Sequence, residues 1–206
     1  TGHPIDAYEE EVKQLSSRSL KQMAEDDGNI KYQKKPITLV GLVSAIRTQN
    51  TDKGKRAFLT LDDKTAYYEV FVFSNVFEQY EELIQKEEVL VVEGTLNSDY
   101  NTGAVRLRIE ALHDIRSARN SFLSRLTLNV DKSQTTNGLL DKLDELLPGK
   151  IPNAENTGQC PVIISYETDN EKAELRLGAD VCAPLGDEDL KLLKQTLGED
   201  RVNLVY

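Results

Sequence analysis

The spacing of apolar residues changes several times along the chain, and each change marks a structural boundary. Between Ile5 and Glu25 the positions Ile5, Tyr8, Val12 and Leu15 recur at intervals of three and four, which places them on one helical face with Glu9, Glu10, Lys13 and Gln14 outside. Pro4 suits a first turn. A second short helix is predicted over Ser19 to Ala24, and Glu25 to Asn29 ends the helical pattern. From Pro36 the spacing becomes that of strands. Ile37 to Thr48 reads as a long strand with a bulge or bend at Gly41. A polar tip at Gln49 to Lys55 follows, then a second strand at Arg56 to Asp62, a turn, and a third strand at Ala66 to Phe73. Ser74 to Lys86 returns to a helical period through Phe77, Tyr80, Leu83 and Ile84, with Ser74 as N-cap. Two further strands, Glu88 to Asp99 and Val105 to Ile115, are joined by the loop around Tyr100 to Gly103.

Three strands, a helix and two strands, with a first strand long enough to pair at both ends, is the element order of a five-stranded OB-fold barrel with its helix between strands three and four. An open meander or a small sandwich does not predict a helix at that place. A charged joining stretch lies beyond Arg116. After it come a strand at Arg125 to Val130, a helix from Gln134 to Leu147 stopped by Pro148 and Gly149, and two strands forming a hairpin around Asp169 to Glu171. A helix capped by Asp187, carrying Leu190, Leu193 and Leu197 and closed by Gly198, leads to a last strand. The fold class expected is therefore β plus α+β: a helical arm or linker at 1–34, an OB domain at 35–118 and a small α+β domain at 119–206.

The 206 residues suffice for two small domains. No apolar run approaches the roughly 18 to 20 residues of a membrane span, and no block of five like charges suggests a disordered tail. Cys160 and Cys182 lack any CxxC spacing and are expected to be reduced, buried thiols. His3 and His113 stand at no metal-ligand spacing, so neither a metal nor a cofactor is expected. The chain starts at Thr1 without a leader and reads as a piece of a longer cytoplasmic chain. Signatures for nucleotide hydrolysis, dinucleotide redox and hydrolytic nucleophiles are missing, which argues against catalysis by this segment. Asp62 and Asp63 are the one tempting acidic pair, but neighbours on a strand point to opposite faces and Asp-Asp-Lys-Thr is turn composition.

A net charge of −10 seems to exclude nucleic acid. The local charge says otherwise. Arg47, Lys53, Lys55 and Arg56 against Asp52 give +3 at the tip between strands one and two, within a 35–118 segment of −3. In OB-folds that tip, the faces of strands two and three and the loop between strands four and five hold oligonucleotides. Period two then puts Arg56, Phe58 and Thr60 outside on the second strand, and Tyr67, Glu69 and Phe71 outside on the third. Phe58, Tyr67 and Phe71 would form an exposed platform for base stacking beside phosphate-tracking cations. Tyr100 would close the groove from the other loop, and Arg106 and Arg108 on the fifth strand would meet phosphate.

The residues TGHPI at the start, LVGLVSAIR, TDKGKRAFLTLDD, YEVFVFSNVFEQY and VLVVEGTL resemble the C-terminal region of the alpha subunit of the bacterial replicative polymerase, DNA polymerase III. The likeness is strong from Thr1 to about Arg119; beyond that it rests on element order and Leu175 to Ala179. It implies a fragment without catalytic residues of its own, the DNA-polymerising aspartates lying upstream in the parent chain. It also implies weak binding of single-stranded template DNA by the OB domain. The final domain would bind the tau subunit of the clamp loader, with Leu193, Leu197, Val202, Leu204 and Tyr206 as candidate contacts. The family's further partners are the rest of the polymerase chain and the sliding clamp, although the terminal RVNLVY lacks the clamp motif's Gln-led pattern with paired aromatics. Two rival readings are a purely protein-binding scaffold whose OB groove packs on another polymerase domain, and an anticodon-binding OB domain like that of a tRNA synthetase.

Overall fold

In the computed structural model, which describes residues 2–25, 35–98, 105–132, 138–147, 160–168, 171–178, 181, 183 and 186–206, the helical segment at the start is a 3-10 turn (Pro4–Tyr8) followed by α1 (Glu9–Leu15) and α2 (Leu20–Glu25). His3 opens the turn by accepting from the Ile5 N–H while Asp6 accepts from the His3 N–H. The chain then enters β1 (Lys35–Thr51), β2 (Gly54–Asp62) and β3 (Tyr67–Val72), passes through α3 (Ser74–Tyr80), and returns in β4 (Val89–Ser98) and β5 (Val105–His113). The sheet order is β3-β2-β1-β4-β5, antiparallel throughout.

Two pairings of β1 make this arrangement possible. Its residues 35–42 pair with β4 and 42–51 with β2, and the ladder skips between Val43 and Ala45. The irregularity thus falls two residues beyond Gly41. Gly41 is needed for close packing instead, since a Cβ there would lie 2.9 Å from that of Leu61. The outer strands β3 and β5 come against each other, so the sheet closes as the five-stranded OB-fold expected. Its interior is filled by alternate residues of three strands, Ala57, Leu59 and Leu61 of β2, Val70 and Val72 of β3, Leu90 and Val92 of β4, and by Ile109 and Leu112 of β5 on either side of a skip in the β4–β5 ladder. Val76 and Phe77 of α3 enter the same core. The helix begins differently from the expectation: Phe73 is the N-cap and Ser74 the first helical residue, with no side-chain cap.

The arm belongs to this first unit, which runs from Thr1 to Ile115. Leu20 and Met23 of α2 are buried in the barrel core, and burying such side chains contributes about 1.5–3 kcal/mol each. The acidic pair of the β2–β3 turn stitches the arm down. Asp62 accepts from the Lys64 N–H with one oxygen (2.8 Å) and lies 3.4 Å from Nε2 of His3 with the other. Asp63 accepts from the Thr65 and Ala66 N–H groups with Oδ1, and with Oδ2 from the Leu20 N–H at the start of α2 (2.8 Å). Both carboxylates are therefore turn and docking groups.

The second unit, Arg116–Tyr206, holds β6 (Arg125–Asp131), α5 (Leu139–Leu146), β7 (Val162–Glu167), β8 (Lys172–Arg176), α6 (Asp187–Leu197) and β9 (Val202–Val205). Its sheet order is β8-β7-β6-β9, with β6 and β7 parallel across the α5 crossover and the other pairs antiparallel. Leu126, Leu128 and Val130 of β6 pack with Leu143 of α5 and with Leu190, Leu193 and Leu197 of α6. The charged joining stretch contains a helix that the sequence reading lacks, α4 (Ile115–Phe122). Asp187 is not the cap of α6: Gly186 holds that place, and the Asp187 carboxylate accepts instead from Nη1 of the buried Arg119 at 2.5 Å. Cys160 is buried, its thiol donating to the Pro161 carbonyl (3.9 Å), and Cys182 lies outside the described residues. Among the described residues no helix is long and apolar enough to cross a membrane, and no cluster of three or more His, Cys, Asp or Glu could hold a metal ion.

Candidate nucleic-acid interface

Cross-strand register sets the geometry of the outer face of β1, β2 and β3, because directly opposed residues of antiparallel strands share a face. Arg47 of β1 stands opposite Phe58 of β2, and Phe58 opposite Phe71 of β3. In the next row Gln49 stands opposite Arg56. Cations and rings therefore share one face, Arg56 next to Phe58 along β2 and Arg47 next to Phe58 across the strands. The Phe58 and Phe71 centroids are 5.0 Å apart, and Phe73 meets Phe71 edge-on at 4.6 Å. The Arg47 guanidinium lies 4.7 Å above the Phe58 ring and that of Arg56 5.6 Å from the Phe71 ring.

Two acceptors hold these guanidinium groups in place. Arg47 reaches across β2 to donate to Oε2 of Glu69 on β3 (3.1 Å), which draws it over Phe58. Arg56 donates through Nε and Nη2 to Oε1 of Gln49 (3.1 and 2.8 Å). Each exposed cation–π contact stabilises by roughly 0.5–1 kcal/mol and the ion pair by about 0–1 kcal/mol. Contacts this weak are readily exchanged for phosphate.

The structure brings together Arg47, Arg56, Phe58 and Phe71. Lys53 sits in the two-residue turn at the hairpin tip, exposed and without an ion pair among the described residues. Lys55 faces the other way: its ammonium pairs with Glu81 (2.8 Å) and lies 4.8 Å above the Phe77 ring, because the residue next to Arg56 points to the opposite side of β2. Tyr67 is on the platform face and 68% exposed, but four residues along β3 from Phe71, beyond Glu69. Arg108 is exposed on β5. Tyr100 and the side chain of Arg106 lie outside the described residues. Phe73, 48% exposed, is absent from the sequence-derived set, although the same period of two that selects Phe71 also selects it.

The candidate partner contacts of the second unit fare differently. Leu193 (0% exposed), Leu197 (3%) and Val202 (5%) are core residues, and Leu204 and Tyr206 pack partly buried against them. The periodic leucines that mark an amphipathic helix are the ones its own domain buries. Among the described residues the exposed large apolar side chains there are Leu175 of β8 and Leu192 of α6.

A family model, the tRNA anti-codon type of OB-fold nucleic acid binding domain, matches residues 37–115. Along its whole length the chain is 30% identical to a DNA polymerase III subunit alpha of Vibrio cholerae, and 29% identical to one of Escherichia coli K12, covering 17% of each. Among solved structures, asparaginyl-tRNA synthetase from Pyrococcus horikoshii is 23% identical over 49% of this chain and 23% of its own, with a TM-score of 0.36. The chain thus spans about one sixth of the length of the curated relatives it matches.

Proposed function

Because the chain matches the C-terminal region of DNA polymerase III subunit alpha from end to end, we propose that it is a non-catalytic replication module that holds single-stranded template DNA on its OB face. The observation that carries this reading is the row of Phe58, Phe71 and Phe73 with Arg47 and Arg56 stacked against it on the outer face of β1, β2 and β3. Rings stack on bases, each for roughly 1–3 kcal/mol, while guanidinium groups exchange Glu69 and Gln49 for phosphate. The overall charge of −10 keeps such binding weak. In the functional division proposed, 1–34 anchors the barrel, 35–118 meets DNA, and 119–206 meets the tau subunit of the clamp loader. That last contact needs side chains the domain does not bury, and Leu175 and Leu192 meet the condition.

Anisotropy of a labelled single-stranded DNA, titrated with the 206-residue chain at two salt concentrations, tests the DNA reading. Binding that falls steeply with salt and is lost in the Lys53→Glu, Arg56→Glu double variant is the expected result. Absence of binding at low salt refutes it, and tighter binding of the matching RNA strand favours the anticodon-type alternative.

A further inference from the structure

The row of rings does not stop at the barrel face. Phe73 turns the corner where β3 ends, and it lines a cleft of about 480 Å³ with Asn75 and Val76 of α3 and Arg108, Ile109 and Glu110 of β5. We propose that this cleft is a nucleotide subsite that continues the platform, with Phe73 stacking one base of the strand, Arg108 meeting its phosphate, and Asn75 with Glu110 reading the base edge. This inference rests on the platform reading above.

Four observations support it. The volume lies in the range of small-ligand sites, and the floor is apolar, Val76 and Ile109 being 4% and 2% exposed. The Phe73 ring is half exposed yet already in contact with Phe71, so a base leaving one ring meets the next. Arg47, Lys55 and Arg56 are all engaged by side-chain acceptors, whereas the Arg108 side chain makes no hydrogen bond or ion pair among the described residues. Its position is also fixed from behind. Gly94 of β4 lets the Arg108 carbonyl approach so closely that a Cβ at Gly94 would lie 2.3 Å from it.

The charge pattern selects the occupant. Glu110 stands two residues from Arg108 on the same face of β5, held by the Thr95 hydroxyl (2.8 Å). A carboxylate there disfavours a free anion or an acidic peptide. It favours a base edge with an amino group, and the cytosine N4 amine is the donor such a carboxylate accepts from. The cleft thus combines a ring, a cation for one phosphate and acceptors for one base.

The test uses labelled oligodeoxycytidine as a trimer, short enough for the platform alone, and as an octamer, with the full 206-residue chain. Arg108→Ala and Asn75→Ala, on the cleft and outside the row of Arg47, Phe58 and Phe71, are expected to weaken trimer binding far less than octamer binding. Each should weaken octamer binding by about tenfold, and Arg108→Ala should also lower the octamer's salt slope by about one. The octamer should prefer cytidine over thymidine severalfold, and Glu110→Gln should erase that preference. Octamer binding untouched by Arg108→Ala and Asn75→Ala, with Arg47→Glu abolishing both complexes, overturns the subsite and leaves the platform standing. Failure of either oligomer to bind the parent chain removes the platform and the subsite together.

Discussion

At the scale of single residues, Glu69 sets how available the platform is. By drawing Arg47 across β2 it covers the outer face of Phe58 and occupies a cation that would otherwise face phosphate. An exposed pair of this kind contributes at most about 1 kcal/mol, so Glu69→Gln should tighten single-stranded DNA binding about two- to fivefold at low salt. The gap should close as salt rises, and anisotropy read at two ionic strengths checks both effects. Lys64 is the second informative residue. Its φ of 74° is left-handed, and its ammonium pairs closely with Asp6 of the arm. The hydrogen bond from Lys64 holds the Asp6 carboxyl below its ordinary range, and the same bond raises the Lys64 ammonium. The tie is therefore fully present above the ordinary carboxylate pKa and is lost as pH falls through the lowered Asp6 value. On the alkaline side it is present below the ordinary ammonium pKa and lost as pH rises through the raised Lys64 value. An NMR titration should find the Asp6 midpoint shifted upward in Lys64→Ala. A left-handed backbone strains any residue with a Cβ, and glycine escapes that strain while bringing extra chain entropy of its own. The strain is the larger of the two, so Lys64→Gly should be more stable than Lys64→Ala in denaturant melts. What was legible here was side-chain direction: period two places Phe58 and Phe71 outside correctly. The ion-pair partners were not legible, because Arg47 and Glu69 meet only across an intervening strand.

At the scale of elements, strand limits followed the apolar alternation to within a few residues, whereas irregular positions did not. Gly41 marks a bend in the sequence, yet the ladder skips between Val43 and Ala45, because β1 changes partner there. A second skip lies between Glu93 and Gly94. A methyl group at Gly94 would meet the Arg108 carbonyl oxygen at 2.3 Å, so Gly94→Ala must push β4 and β5 apart. A loss of roughly 1–3 kcal/mol in equilibrium unfolding is expected. The helix starts show the same limit. Ser74 and Asp187 have cap chemistry, but the backbone starts α3 and α6 one residue earlier in each case, and Asp187 is taken by Arg119. Polar side chains choose among partners that folding brings near, and local sequence names only the local ones.

At the scale of the whole molecule, two units with separate cores share the acidic charge, −6 over 1–115 and −4 over 116–206. If DNA is held by the first unit alone, a chain ending at Ile115 should bind the oligonucleotide within about twofold of the full-length chain and fail to bind tau. Pull-down and anisotropy on the same truncation read both outcomes, and loss of DNA binding on truncation contradicts the assignment. The sequence by itself determined the element order, the OB-fold and the faces of β2 and β3, because burial imposes periods of two and 3.6 on the order of residues. It also carried the likeness to the polymerase. Only the tertiary structure decided that the Lys55 ammonium lies over Phe77 of α3 and pairs with Glu81, that Leu193, Leu197 and Val202 are core, and that Phe73 and Arg108 share a cleft. Those facts depend on which elements meet across the closed barrel and within the second core, and neighbours in space far apart in sequence leave no period to read.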